Sequence, residues 1–356
     1  MDFPNQQGQS RLVNSVINRG ICVRCGACVG ICPYFHYFDG EVVVQDQCPS
    51  DRGRCLQVCP RAGSTETAVE AETSVPAQTG EIGSFHTIMM ARASEQKIRE
   101  RAQYGGLVSA LLIFALENGA IKSAVLTDAG DRLSPGGKIA RNRSEILDCT
   151  GSRYSGSAGL SALNRAIQAD ERGLGVVGLP CQMEALARMR HIEPEGEEMC
   201  SRIVLKIGLF CTWALDYRRL AAFLKHKGVG GKALKFDIPP PPSESFLVQT
   251  KEGRWVFDLS EIRPLIQKGC ALCRDMTAEC ADLSVGTVEG LEKWNTLVVR
   301  TEAGLELVNS AEEKGWIETR PLPDENLEHL KEAACNKRER AVKAGIAMGE
   351  ESRDRK

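Results

Sequence analysis

Cys22-Val23-Arg24-Cys25-Gly26-Ala27-Cys28-Val29-Gly30-Ile31-Cys32-Pro33 spells C-x2-C-x2-C-x3-C-P, and Cys48, Cys55, Cys59 and Pro60 follow as a partial second copy. Three thiolates on one tight loop converge on three corners of a 4Fe–4S cube, while the fourth cysteine, ahead of proline, serves the neighbouring cluster. On that spacing Cys22, Cys25, Cys28 and Cys59 hold one cube, and Cys32 joins Cys48 and Cys55 on another. The second set is one thiolate short. Asp51 stands where the regular pattern puts a cysteine three residues after Cys48. A carboxylate can bind iron, so three readings stay open: Asp51 as fourth ligand, a 3Fe–4S or water-ligated site, or one cluster with spare thiols. The paired C-x2-C geometry of zinc ribbons fits this tandem less well.

The rest of the composition narrows the class. The chain has 356 residues, a formal net charge of -2 and 15 cysteines. That length exceeds one average domain and supports a sizeable core. Basic residues are scattered among acids, which argues against a nucleic-acid partner. Lys337, Arg338, Arg340 and Lys343 are expected to form a solvated helix face. Met1 to Asn18 lacks the charged start, apolar middle and cleavage site of a signal peptide, and no apolar run approaches the roughly 20 residues of a membrane span. So many cysteines in a chain without a secretion signal point to metal or redox chemistry in the cytoplasm rather than to a disulfide frame.

Residues 1–61 form the cysteine module, with a strand at Glu41–Val44 between its two cysteine groups, as in small two-hairpin ferredoxins. Residues 62–82, rich in Ser, Thr, Ala, Glu and Gly, form a linker. From residue 83 to 356 strands and helices alternate. Strands are expected at His86–Ala91, Ser123–Thr127, Leu174–Leu179 and Ile203–Phe210. Helices are expected at Ala93–Gln103, Leu107–Asn118 with Gly119 as its C-terminal cap, Leu160–Ala169 and Met183–Met189. This alternation defines an α/β domain. Pro239–Pro242 is a rigid polyproline loop between strands.

The α/β domain carries its own thiols: Cys181 in Gly178-Leu179-Pro180-Cys181-Gln182, Cys211 in Gly208-Leu209-Phe210-Cys211, and the pair Cys270 and Cys273. Cys181 and Cys211 follow expected strands, whose C-terminal ends line the crevice of an open α/β sheet. A lone C-x2-C pair serves zinc, cluster and redox disulfide alike; downstream of a cluster module, these four favour a further 4Fe–4S cluster. Cys149, Cys200, Cys280 and Cys335 are expected to be packed or surface thiols. Gln103-Tyr104-Gly105-Gly106 opens an apolar helix and can offer backbone amides to a phosphate, although such a glycine pair also serves close packing. Gly151-Ser152-Arg153-Tyr154-Ser155-Gly156-Ser157 is a second loop able to donate to a phosphate or ribityl chain; the alternative is an ordinary N-cap by Ser157.

These motifs, with Ala91-Arg92-Ala93, Ser109-Ala110-Leu111, Arg274-Asp275, Ala281-Asp282, Trp294-Asn295-Thr296 and Val299-Arg300-Thr301, resemble the coenzyme F420 hydrogenase/dehydrogenase beta subunit family. That family contains the beta subunits of F420-reducing hydrogenase and F420-dependent formate dehydrogenase and the F420H2 dehydrogenase input subunit. The resemblance runs from about Gly83 to the C-terminal helix. It implies an FAD-binding α/β domain preceded by the ferredoxin-like iron–sulfur module. A 4Fe–4S cluster on Cys181, Cys211, Cys270 and Cys273 would lie near the flavin, and Gly105, Gly106, Ser152 and Tyr154 along it. Two to three clusters follow in all.

The function expected is hydride exchange between coenzyme F420, or a similar two-electron carrier, and FAD. Single electrons then pass through clusters to a partner such as a hydrogenase, a formate dehydrogenase or a heterodisulfide-reductase-like subunit. The family also includes enzymes acting on a chlorophyll derivative and enzymes fused to sulfite-reducing modules. The rivals are therefore a nicotinamide- or organic-substrate-dependent flavoenzyme and a flavin-free electron relay. No catalytic acid or base is singled out.

Overall fold

The computed structural model describes residues 8–50, 53–62, 80–128, 135–239 and 243–353. Asp51, nearly all of the expected linker and Pro240–Pro242 lie outside the described residues.

The cysteine segment contributes a short helix Gly8–Leu12 continuing through Val13–Ile17, the hairpin β1 (Phe35–Phe38) and β2 (Glu41–Val44), and a helix Arg54–Gln57. The strand expected at Glu41–Val44 pairs antiparallel with β1, Phe35 opposite Val44. The body holds β3 (Thr87–Ala93), β4 (Ser123–Thr127), β5 (Gly137–Ala140), β6 (Leu174–Gly178), β7 (Ile203–Leu209), β8 (Lys235–Asp237), β9 (Ser245–Gln249), β10 (Arg254–Asp258), β11 (Leu283–Thr287), β12 (Asn295–Val299) and β13 (Ile317–Arg320). An eight-stranded sheet runs β13-β3-β12-β11-β7-β6-β4-β5. Its centre, β4-β6-β7-β11, is parallel, and the strands outside it pair antiparallel. The fold is a mixed α/β sheet, as the alternation predicts.

Side-chain alternation decides which face each strand residue meets. Val125 lies with helices Gly159–Gln168 and Pro180–Met189 in one core, while its neighbours Ala124 and Leu126 lie with helices Leu107–Glu117 and Glu302–Glu313 in the other. Helix Leu107–Glu117 is apolar nearly all round because it is sandwiched against the sheet on one side and helix Glu302–Glu313 on the other. It ends where expected, Gly119 adopting φ +74° just past the cap. The expected helix 93–103 is shorter, Gln96–Arg101, because β3 continues through Ala93 to pair with Ile317 of β13.

Between β7 and β11 the chain inserts a three-stranded antiparallel sheet, β10-β9-β8, whose core stacks Phe236 on Phe246. The final helix, Asp324–Arg353, returns across the body. It is not the uniformly solvated face expected of its basic residues. Leu330, Ala334, Lys337 and Ala341 recur at helical spacing and are buried, with Lys337 only 3% exposed. Arg340 and Lys343 are exposed as expected.

Candidate functional site

In a parallel sheet all strands end on the same edge. Cys181 therefore stands in the first turn of the helix after β6, beside Cys211 just beyond β7. Pro180 suits that first turn, where its missing N–H costs nothing, and Gln182 Oε1 accepts from the Leu179 amide at 2.8 Å. Cys270 lies within a 3-10 turn, Lys268–Leu272, and Cys273 caps its end. The Ala214 amide meets the Cys270 sulfur at 3.4 Å, and the Cys211 amide donates to the Met276 carbonyl at 2.9 Å. Two strand ends and one turn thus bring the four thiols together. Burial first, then the charges of Cys25, Cys273 and Cys211, raise Cys181 well above the ordinary thiol range. Cys211 is pushed up to about 12 by burial and by Cys270 and Cys273, against the pull of Lys337.

Cys22, Cys25, Cys28 and Cys59 line a single cavity with Leu12, Val16, Val23 and Val42. Burial pushes Cys25 up to about 12 and raises Cys28 well above the ordinary thiol value, with Cys25, Cys22, Cys59 and Cys55 adding to Cys28. Cys32, Cys48 and Cys55 form an adjoining group: Cys55 is pushed up to about 12 by burial, then by Cys32 and Cys48. None of the 15 cysteines is in a disulfide. Among the described residues no three His, Cys, Asp or Glu side chains are gathered tightly enough for a single ion.

The first cysteine loop is bolted to the body. Gly26, at φ +84°, lies so close to Ala158 that an added Cβ would be 2.7 Å from its carbonyl oxygen. The Leu160 amide donates to the Cys25 carbonyl at 3.1 Å. Asn164 Nδ2 donates to the Ala27 and Val29 carbonyls at 2.9 and 2.7 Å. Arg24 reaches the hairpin through Glu41 and the body through Asp216, at 2.5 and 2.7 Å. Gly269 presses on Ile21, leaving 2.0 Å between a built Cβ and the Ile21 carbonyl oxygen, so the Cys22 and Cys270 loops meet backbone to backbone.

The two glycine loops come together through β8. Gln103 Nε2 donates to Asp237 Oδ1 at 2.6 Å, and Tyr154 Oη accepts from the Ile238 amide at 3.1 Å. Tyr104 is pushed up to about 12 by burial and then Asp237, and Tyr154 is raised by burial, Tyr104 and Asp237. Gly105 and Gly106 already have structural tasks. A Cβ on Gly105 would sit 2.6 Å from Asn295 Oδ1, which accepts from the Leu107 amide at 3.3 Å, and Gly106 holds φ +73° at the helix start. The packing role named for this pair is therefore filled. Ser157, by contrast, does not cap the next helix: Ala158 is the N-cap, and Ser155 Oγ, Ser157 Oγ and Gln267 Oε1 are buried without a hydrogen-bond partner. Ser152 is half-buried at the mouth of that loop. Buried hydroxyls left unpaired are costly, so this loop fits a polar ligand better than the glycine pair does.

Sequence reasoning passed over Arg61, read Lys337 as solvated and quoted Asn295 only within a family motif. The helical stripe Leu330, Ala334, Lys337, Ala341 could have signalled Lys337, and nothing local could have signalled Arg61. Cys149, Cys200 and Cys280 are half-buried at core edges, in keeping with packed thiols.

The mixed α/β sheet carries thiol-bearing loops beyond β6 and β7, and the chain's family makes it an electron-transfer subunit. The family models for the N-terminal and C-terminal parts of the coenzyme F420 hydrogenase/dehydrogenase beta subunit match residues 88–164 and 171–325, respectively. The chain is 30% identical over 268 residues to coenzyme F420 hydrogenase subunit beta of Methanothermobacter thermautotrophicus, covering 74% of this chain and 94% of that one. It is also 30% identical over 334 residues to coenzyme F420-dependent sulfite reductase of Methanocaldococcus jannaschii, covering 90% of this chain but spanning only 50% of that protein. A chain of the F420-reducing [NiFe] hydrogenase complex from Methanosarcina barkeri superposes with a TM-score of 0.68 at 28% identity, over 74% of this chain and 92% of that one. The protein belongs to the coenzyme F420 hydrogenase/dehydrogenase beta subunit family and is an oxidoreductase. Among the described residues no helix is long and apolar enough to cross a membrane.

Proposed function

We propose that this chain is an iron–sulfur flavoprotein subunit that exchanges a hydride between coenzyme F420, or a similar two-electron carrier, and FAD, and delivers single electrons to a partner redox enzyme. The observation that carries the reading is the continuity of the thiols. Cys22, Cys25, Cys28 and Cys59 line one cavity, and the loop carrying Cys22 meets the loop carrying Cys270 backbone to backbone at Ile21 and Gly269, which supports a chain of adjoining thiol groups.

In this reading residues 1–61 are the ferredoxin-like module, 62–82 the link and 83–356 the flavin- and cluster-holding body. Cys22, Cys25, Cys28 and Cys59 would hold one 4Fe–4S cluster, Cys32, Cys48 and Cys55 with Asp51 a second, and Cys181, Cys211, Cys270 and Cys273 a third. Gly105, Gly106, Ser152 and Tyr154, with the unpaired Ser155 and Ser157 hydroxyls, would hold FAD. Bound there, the flavin supplies conversion between a two-electron hydride and single electrons, and the clusters supply one-electron storage. The chain's own groups hold and exclude. Tyr154 is fixed by the Ile238 amide and an edge-on contact with Phe246. Burial favours the protonated thiols, so loading with iron must release protons from these sulfurs. The partner would be a hydrogenase, a formate dehydrogenase or a heterodisulfide-reductase-like subunit.

Anaerobic spectroscopy of purified protein tests this. Flavin and iron are quantified, and bleaching by reduced F420 is compared with bleaching by NADH and NADPH. Bleaching by reduced F420 alone is expected. Bleaching only by a nicotinamide would move the chain to another flavoenzyme class, and iron without flavin would leave an electron relay.

A further inference from the structure

We propose that Arg61 sets the reduction potentials of the two clusters that would flank it, through a guanidinium shared between the Cys22-Cys25-Cys28-Cys59 and Cys181-Cys211-Cys270-Cys273 groups. This inference rests on the proposed iron–sulfur reading and assigns a positioning residue within it.

Arg61 follows Pro60 and Cys59, yet its side chain leaves the cysteine module. Its Nε donates to the Gly269 carbonyl at 3.0 Å, next to Cys270, and its Nη1 donates to the Pro60 carbonyl at 2.6 Å. Glu184, one turn beyond Cys181, is 3.6 Å from Nη1. The side chain is only 5% exposed, and Nη2 is buried with no hydrogen-bond partner. A buried guanidinium with a free N–H is costly unless another group takes it. The groups around it are thiols. Its charge acts on Cys273, Cys181 and Cys270 from one set and lowers Cys22, Cys25 and Cys59 from the other. A cluster on four thiolates carries net negative charge, so it would give Nη2 the acceptor that Glu184, placed at Nη1, does not.

The electrostatic consequence has one sign. Reduction adds one electron, supplied by the two-electron carrier or by titrant, and makes the cluster one unit more negative; no bond forms or breaks and no proton moves. A fixed cation and an N–H donor at sulfur favour the more negative form and raise the potential. Because the same guanidinium faces both groups, it raises both. Glu184 works in the opposite sense.

The test is a mediated redox titration of the full-length, cluster-loaded protein, followed by electron paramagnetic resonance, with iron and sulfide measured on every sample. Arg61→Gln is expected to shift both midpoint potentials negative by about tenfold in the reduction equilibrium, or about 59 mV for one electron. Arg61→Lys, which keeps the charge, is expected to restore most of that shift, and Glu184→Gln is expected to shift both potentials positive. Unchanged potentials in cluster-loaded Arg61→Gln would overturn the inference while leaving the iron–sulfur reading intact. Wild-type protein that holds no iron and sulfide would overturn that reading and the inference with it. Should Arg61→Gln fail to retain clusters, Arg61→His decides, because its charge is lost as pH rises: both potentials falling more steeply with pH than in the wild type support the inference, and an unchanged pH dependence overturns it.

Discussion

The Lys337 ammonium, buried in the last helix, donates to the backbone carbonyl of Cys211 at 2.5 Å, 126 residues earlier in the chain. Burial disfavours its charge, but Cys211, Cys273 and Asp275 hold its pKa above the ordinary lysine value. The C-terminal helix thus places a cation on the thiol group formed by the strand ends. Lys337→Met keeps the packing stem and removes the charge. We expect it to cost about 1–3 kcal/mol, the penalty of an unsatisfied buried carbonyl. Urea unfolding of the iron-free protein measures this, and a cost below about 0.5 kcal/mol would contradict it.

Asn295 links two elements of the sheet edge. Its Oδ1 takes the Leu107 amide at 3.3 Å, its Nδ2 donates to the Gly286 carbonyl at 3.0 Å, and Gly105 packs on it. Asn295→Ala should cost about 1–2 kcal/mol, as loss of a helix cap does. Gly105→Ala should cost about 1–3 kcal/mol by overpacking. The two costs should not add, because they break one contact; a double-mutant cycle in denaturant checks this.

Asp216 gives a pH dependence of known sign. Burial opposes its charge, but the Arg219 amide and Arg24 hold its pKa below the ordinary carboxylate value. A lowered folded pKa adds stability that is fully present above about 3.9, the unfolded value, and is lost as pH falls through the folded value. Asp216→Asn keeps a good helix cap but loses the charge. We expect a loss of about 1–3 kcal/mol at neutral pH, because the buried Arg24 guanidinium is left with Glu41 alone as its charged partner, shrinking towards zero on acidification. Equal losses at neutral pH and at a pH well below the ordinary carboxylate value would argue against the ion pair.

How much of this was legible beforehand depended on range. Strand Ser123–Thr127 and helix Leu107–Glu117 declare themselves because burial on all sides writes an unbroken apolar run. The Cys22 to Cys32 spacing is equally local. The burial of Lys337 was legible in its helical stripe but its partner was not, since the Cys211 carbonyl is fixed only once β7 and the last helix meet. Arg61 was invisible for the same reason: its contacts lie at Gly269 and Glu184. Ser157 misled because serine before a helix usually caps it, whereas here the Cys25 carbonyl takes the Leu160 amide of that first turn.

The contact between Gly26 and Ala158 allows the docking of the cysteine module to be tested apart from the body. Any side chain at Gly26 faces two obstacles: φ is +84°, which L residues rarely adopt, and a Cβ would lie within 2.9 Å of three Ala158 backbone atoms. Backbone cannot step aside as a flexible side chain can, so Gly26→Ala must lift the loop carrying Cys25 and Cys28 from helix Gly159–Gln168. The Asn164 bonds to Ala27 and Val29 would then lengthen or break. The eight-stranded sheet lies beyond that contact and should keep its structure. On the proposed iron–sulfur reading, Gly26→Ala is therefore expected to lose roughly one cluster's worth of iron, about four atoms per chain, with an unchanged far-ultraviolet dichroism spectrum. Asn164→Ala should cause a smaller loss in the same direction. Full iron content in Gly26→Ala would mean that the loop holds its thiols without being docked, and the link between docking and loading would fail.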